Sequence, residues 1–159
     1  MLNRIYIKNF ALISELELEF GSRFNVITGE TGAGKSIIVD ALMIALGGRA
    51  GADFVRSGEK KAIAEATFDV RGNNEIAALL AEHELTDEPT DELILRREIT
   101  DRGQSRCFVS DSPVSAAIAK QFGELLVDFH GQHDHQELLD KSSHIKVLDN
   151  FADTQSLKV

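Results

Sequence analysis

The chain has one cysteine, two prolines, one tyrosine and no tryptophan among its 159 residues. A lone thiol, Cys107, excludes an internal disulfide framework and fits a reducing compartment such as the cytoplasm. It stands between Arg106 and Phe108 in a strand-like run, the setting of a packed core thiol rather than of a nucleophile. No apolar run approaches the ~20 residues that a membrane-spanning helix needs. The first ten residues lack the basic-then-apolar pattern of a secretory signal. Basic side chains are outnumbered, 17 against 26 acidic, leaving a net charge of −9. A basic stripe announcing nucleic acid is therefore missing, and such a contact would need a local patch or parts outside this chain. What is present is 43% hydrophobic and 27% charged, an ordinary soluble composition with length enough for one domain and its own core.

The densest chemistry lies in Gly29, Glu30, Thr31, Gly32, Ala33, Gly34, Lys35 and Ser36, which fit the phosphate-binding pattern G-x-x-x-x-G-K-[ST] at every fixed position. The glycines let backbone N–H groups close on an anion. Lys35 can reach the terminal phosphates, and the Ser36 hydroxyl can join a Mg²⁺ shell. Residues 24–28 read as a buried strand entering the loop. Residues 36–46 read as a helix ended by Gly47 and Gly48. That order aims a helix N-terminus, with its positive dipole end, at the phosphates. The pattern predicts nucleotide binding by these residues, with Ile37 directly after them.

Elsewhere, residues 2–7 read as a strand. Residues 13–20 alternate strictly, with Leu16, Leu18 and Phe20 opposite Glu15, Glu17 and Glu19, the mark of an antiparallel strand wet on one side. Residues 62–70 alternate in the same way. A helix is expected over 75–84, and a hairpin joins strands 92–99 and 105–110. Ser112 and Pro113 read as cap and first position of a helix reaching Phe122. Residues 125–129 read as an apolar strand, and 143–151 have helical character. Strands before the loop and an antiparallel set after it differ from a nucleotide kinase, which starts on the loop strand. They match the plan of ABC-type ATPase heads.

Residues 7–13, 24–42, 47–50, 54–58 and 127–136, the last containing His130-Gly131-Gln132-His133, resemble the N-terminus of the RecN family, bacterial DNA-repair ATPases related to SMC proteins. The resemblance implies an α/β fold: a P-loop NTPase head of ABC type, with a mixed core sheet and an antiparallel β subdomain. It implies that residues 1–150 are the N-terminal lobe of that head and that 151–159 begin a coiled-coil arm or tail. A C-terminal lobe would supply the signature and Walker B motifs, neither of which occurs here. By the same resemblance Gln132 is the Q-loop glutamine on Mg²⁺ and the attacking water. Arg56, and more weakly Arg49, lie near nucleotide or DNA, and Lys8 and Asn9 approach the base and phosphates. The implied catalytic pair is Lys35 with Gln132, and the implied metal ligands are Ser36 with Gln132. The implied cofactors are ATP and Mg²⁺. The implied partners are the C-terminal lobe, a second head in a nucleotide sandwich, and DNA through the full-length protein. The implied location is the bacterial cytoplasm, at the nucleoid.

Two constellations compete with this reading. His130, His133 and His135, with Asp128 and Asp134, have the density of a zinc site but no cysteine nearby. Residues 125–128 mimic a Walker B strand ending in Asp128. A small, complete phosphotransferase would then use Arg96, Arg97, Arg102 and Arg106 as lid arginines. In the head reading the same arginines form a solvated face or a contact surface on the antiparallel subdomain.

Overall fold

A computed structural model describes residues 1–28, 34–86 and 90–129. Residues 1–127 form one compact unit, so the boundary expected near residue 150 and the helix expected over 143–151 lie outside the described residues. Among the described residues six strands make a single sheet: β1 (Leu2–Phe10), β2 (Ile13–Glu19), β3 (Lys61–Asp69), β4 (Glu92–Thr100), β5 (Ser105–Val109) and β6 (Ser112–Val114). Their order is β2-β1-β3-β4-β5-β6, and every pairing is antiparallel. Among the described residues three α-helices accompany them, α1 (Lys35–Ala45), α2 (Asn74–Glu82) and α3 (Ala116–Leu126). Among the described residues no helix is long and apolar enough to cross a membrane.

Period-two alternation fixes which face of the sheet is dry. Register puts Leu18, Ile5, Ala66, Leu95 and Val109 in one transverse row, and Leu16, Ile7, Ala64, Arg97 and Cys107 in the next. Ala62, Ala64 and Ala66 are fully buried, and α1 packs on their strand. A row of methyl groups lets the helix come close where larger side chains would hold it off. Phe10, Phe68 and Phe122 are the largest of the fully buried side chains among the described residues. The other face carries the charges. Arg4 bridges Glu17 at 2.8 Å and Glu65 at 3.1 Å, Lys61 meets Glu98 at 3.2 Å, and Arg96 lies over the Phe108 ring at 4.5 Å.

Three local expectations change. Residues 24–28 form no strand, and Phe24 is 89% exposed. A hydrophobic run of this kind becomes a buried strand only when neighbours pair with its backbone and cover both faces; the described residues supply neither. Residues 112–114 are the edge strand β6 instead of the start of a helix. Pro113 is tolerated there because an edge strand can lack an N–H, and Ser115 takes the cap, accepting from Ile118 N at 3.2 Å. Finally, α3 runs through Leu126, so 127–129 are not an apolar strand. Leu126 still lies within helical spacing of the buried Phe122 and Gly123.

Candidate functional site

Helix α1 begins at Lys35 with Gly34 as its N-cap and Ser36 in its first turn. Among the described residues no side chain caps this end, and the first turn has no acidic residue. The helix ladder opens only at Ile38, whose N–H donates to the Gly34 carbonyl at 3.1 Å. The leading amides of an α-helix have no acceptor within the helix. By contrast, α2 and α3 fill this role with Asn73 and Ser115. An acid-free helix start with a lysine and a hydroxyl in its first two positions fits a phosphate group and its cation. Ser36 is exposed and Lys35 half-buried. Gly29, Glu30, Thr31, Gly32, Ala33 and Gln132 lie outside the described residues, as do His130, His133 and His135.

Asn9 and Arg56, distant in sequence, meet at the β1–β2 turn. The Arg56 amide donates to the Asn9 carbonyl at 2.9 Å, and its guanidinium donates to the Leu12 carbonyl. Asn9 Nδ2 donates to Glu59 Oε2 at 3.1 Å. Ala11 N donates to Phe54 O at 2.8 Å, and the Phe10 and Phe54 rings stack with centroids 5.2 Å apart. Arg56 also accepts from Glu59 N at 3.0 Å across a tight turn, where Gly58 sits at φ +87°. Both side chains are thus engaged in tying the loop after α1 to the first hairpin. Lys8 is paired with Glu15 at 3.7 Å, and Arg49 is exposed.

The four arginines from 96 to 106 do not converge. Neighbouring strand residues face opposite ways, so Arg96 stacks on Phe108 outside while Arg97 is buried in the core. Arg106 is in register with Glu98, and Arg102 is exposed at the hairpin tip. Asp128 follows a helix with one residue between, not a strand. A phosphotransferase lid and a Walker B strand are therefore both missing from their assigned places.

Arg97, expected with its neighbours on a solvated face or contact surface, is instead a buried structural residue. It is 6% exposed, donates to Cys107 Sγ and, at 2.8 Å, to Ser105 Oγ, and its Nε finds no partner among the described residues. The signal was available: Leu93, Leu95, Arg97 and Ile99 share one strand parity, so Arg97 had to point inward.

A family described as an AAA domain matches residues 4–153. The chain belongs to the AAA domain family. It is 43% identical over 152 residues to DNA repair protein RecN of Bacillus subtilis, covering 96% of this chain and 26% of that relative. It is 44% identical to RecN of Vibrio cholerae serotype O1, covering 96% and 27%. The chain thus spans about a quarter of the length of these curated relatives. A solved structure from work on ATP-driven dimerization and DNA-stimulated activation of SMC ATPases superposes with a TM-score of 0.66 at 17% identity. It covers 94% of this chain and 98% of that one. The fold is accordingly that of an SMC-type ATPase head's N-terminal lobe, and the resemblance to RecN holds along nearly the whole chain.

Proposed function

We propose that this chain is the nucleotide-binding N-terminal lobe, residues 1–150, of an ABC-type ATPase head that acts in repair of DNA double-strand breaks, with 151–159 leading toward a coiled-coil arm. One observation carries the reading: the last two residues of the phosphate-binding octet, Lys35 and Ser36, open a helix whose first turn has no acidic residue and, among the described residues, no side-chain cap. The similarity to RecN proteins and to an SMC ATPase studied for ATP-driven dimerization supports it. When bound, ATP with Mg²⁺ would supply the phosphoanhydride to be cleaved and the cation that screens it. Lys35 balances phosphate charge, Ser36 Oγ offers a hard oxygen to the cation, and the amides around Gly34 hold the anion without desolvating a counter-ion. Ile37 continues that helix start. Gln132 is assigned to the metal and the attacking water, which an amide suits by presenting both an acceptor and a donor. Asn9 and Arg56 shape the loop beside the first hairpin and come to the nucleotide through it.

The residues that polarise water and close over the phosphates belong to the C-terminal lobe and to a second head. Two heads sharing nucleotide at their interface would engage on binding and part on hydrolysis, coupling turnover to DNA held by the full-length protein in the bacterial cytoplasm. The decisive experiment compares ATP turnover by this chain alone and by the full-length protein, each with and without Lys35→Ala. Turnover should be confined to the full-length protein and lost on substitution. Turnover by the chain alone at the full-length rate, abolished by Lys35→Ala, would instead establish the small phosphotransferase.

A further inference from the structure

A cavity of about 500 Å³ runs along α2, floored by Val70, Ile76 and Leu80 and walled by Ala77 and Ala81. A second, of about 240 Å³, shares Leu80, Thr86 and Thr90 with it and continues past Leu93 and Val109 to the β5–β6 turn. Sharing a wall, the two make one elongated groove. Voids left by imperfect packing seldom exceed a water molecule, whereas ligand sites occupy about 300–1,000 Å³. The sequence of α2 creates the space. Helical spacing turns Asn73, Ile76, Ala77, Leu80 and Ala81 to one side. Ile76 and Leu80 are buried, while the outer positions are exposed alanines, too small to cover the groove. Asn73 stands fixed beside it, because its Oδ1 accepts from Glu75 N and Ile76 N at 3.1 Å. Its Nδ2 donors have no partner among the described residues.

Charge along this stretch has one sign: residues 72–95 contain seven acidic side chains and no lysine or arginine. Asp91 lines the larger cavity and Asp111 the smaller, and both are exposed. Neither forms an ion pair among the described residues. Arg71, whose field reaches Asp91, is committed to Asp69. We propose that this groove receives a segment of another protein in which apolar side chains stand between basic ones. The apolar groups enter over Ile76 and Leu80, a backbone carbonyl of the guest accepts from the Asn73 amide, and lysines or arginines meet Asp91 and Asp111. Two cavities in line suit an extended peptide better than a compact small molecule, and an acidic rim repels nucleic acid. None of these residues belongs to the phosphate site, so the proposal goes beyond nucleotide binding and does not depend on it.

The probe is a fluorescein-labelled peptide with two leucines set between pairs of lysines, titrated by anisotropy into the full-length protein. It should bind, and replacing its leucines by serine should weaken binding about tenfold or more. The same peptide with glutamates for lysines should not bind. Asp91→Asn with Asp111→Asn should weaken the lysine peptide about fivefold, the scale of two exposed charge pairs. Ala77→Gln puts a longer side chain, a good helix former, at an exposed position of the groove wall, and should weaken binding about tenfold at an unchanged melting temperature. Hydrogen exchange should slow on peptide binding in residues 73–81 and 109–112. Failure of the lysine peptide to bind overturns the proposal, and so does equal binding of the glutamate peptide. Protection confined to other residues, or an affinity that Ala77→Gln leaves unchanged, overturns it as well. Should Ala77→Gln lower the melting temperature, the double asparagine variant decides in its place, since both of its positions are exposed: unchanged affinity there overturns the groove as the site.

Discussion

Tyr6 donates its hydroxyl to Glu15 Oε1 at 2.6 Å across the β1–β2 pair. That bond, with partial burial and the negative field of Glu15, Glu17 and Glu65, pushes the phenol up to about 12; the same bond and the nearby Lys8 ammonium hold the Glu15 carboxyl below the ordinary carboxylate range. A phenol whose folded value lies above the unfolded one, about 10, stabilises fully below that pH and loses its contribution as pH climbs through the folded value. With one tyrosine and no tryptophan in the chain, tyrosinate absorbance near 295 nm reports this group alone. The titration should centre near 12 and return toward about 10 in Glu15→Gln; identical curves for the two proteins would show that the bond does not form in solution. At the same scale, Arg97 shows what the sequence told and what it withheld. Alternation put it inside, but only the register reveals Cys107 opposite it, with Ser105 as its second acceptor. Neither is a carboxylate, and an uncompensated buried guanidinium costs several kcal/mol on the order of its desolvation. Asn9 and Arg56 were each singled out through the family resemblance, but that they meet at the first hairpin, with Glu59 and the Leu12 carbonyl as partners, was not legible.

Strands β1 to β5 and helices α1 and α2 could be located in the sequence because each carries its own periodicity or cap. Leu16 and Leu18 against Glu15, Glu17 and Glu19 leave one register with a dry face, and Asn73 caps α2 by accepting from Glu75 N and Ile76 N at 3.1 Å. The elements misjudged are those whose state depends on neighbours. Ser112-Pro113 satisfies the local rule for a helix start, yet β5 offers an edge and the pair joins it, Pro113 lying opposite Phe108. The alanines of β3 carry the same lesson about packing. Their small size looks like weak strand propensity, but it is what admits α1. Ala64→Leu should therefore destabilise the chain by about 1–3 kcal/mol through overpacking, seen as a lower urea midpoint with unchanged slope. Ala78→Leu, on the exposed side of α2, should stay within about 0.5 kcal/mol. Equal effects at both positions would mean that α1 is not seated on the alanine row.

At the scale of the whole molecule, the apolar residues left outside matter most. Phe24, Val26 and Ile27 are 89%, 64% and 42% exposed, and on α1 Val39 and Met43, one turn apart, are 46% and 43% exposed although the opposite side of that helix is buried. Scattered apolar side chains are ordinary on a surface. A run that reads as an interior strand, next in sequence to the phosphate octet, is a different matter: it has the composition of an element flanked on both sides. The relatives are about four times longer than this chain, and the C-terminal lobe proposed above would supply the missing neighbours. Phe24→Asp with Ile27→Asp should then leave the antiparallel sheet intact, because neither residue contributes to it. Covering two such side chains is worth about 3–6 kcal/mol, so association with a separately expressed C-terminal lobe should weaken by about two to four decades. Co-purification of the two lobes, followed by recovery of ATP turnover on mixing, reads this directly. If the doubly substituted chain binds the second lobe as tightly as the parent does, residues 24–28 are not the strand that completes the head, and the composite site must be assembled through another face.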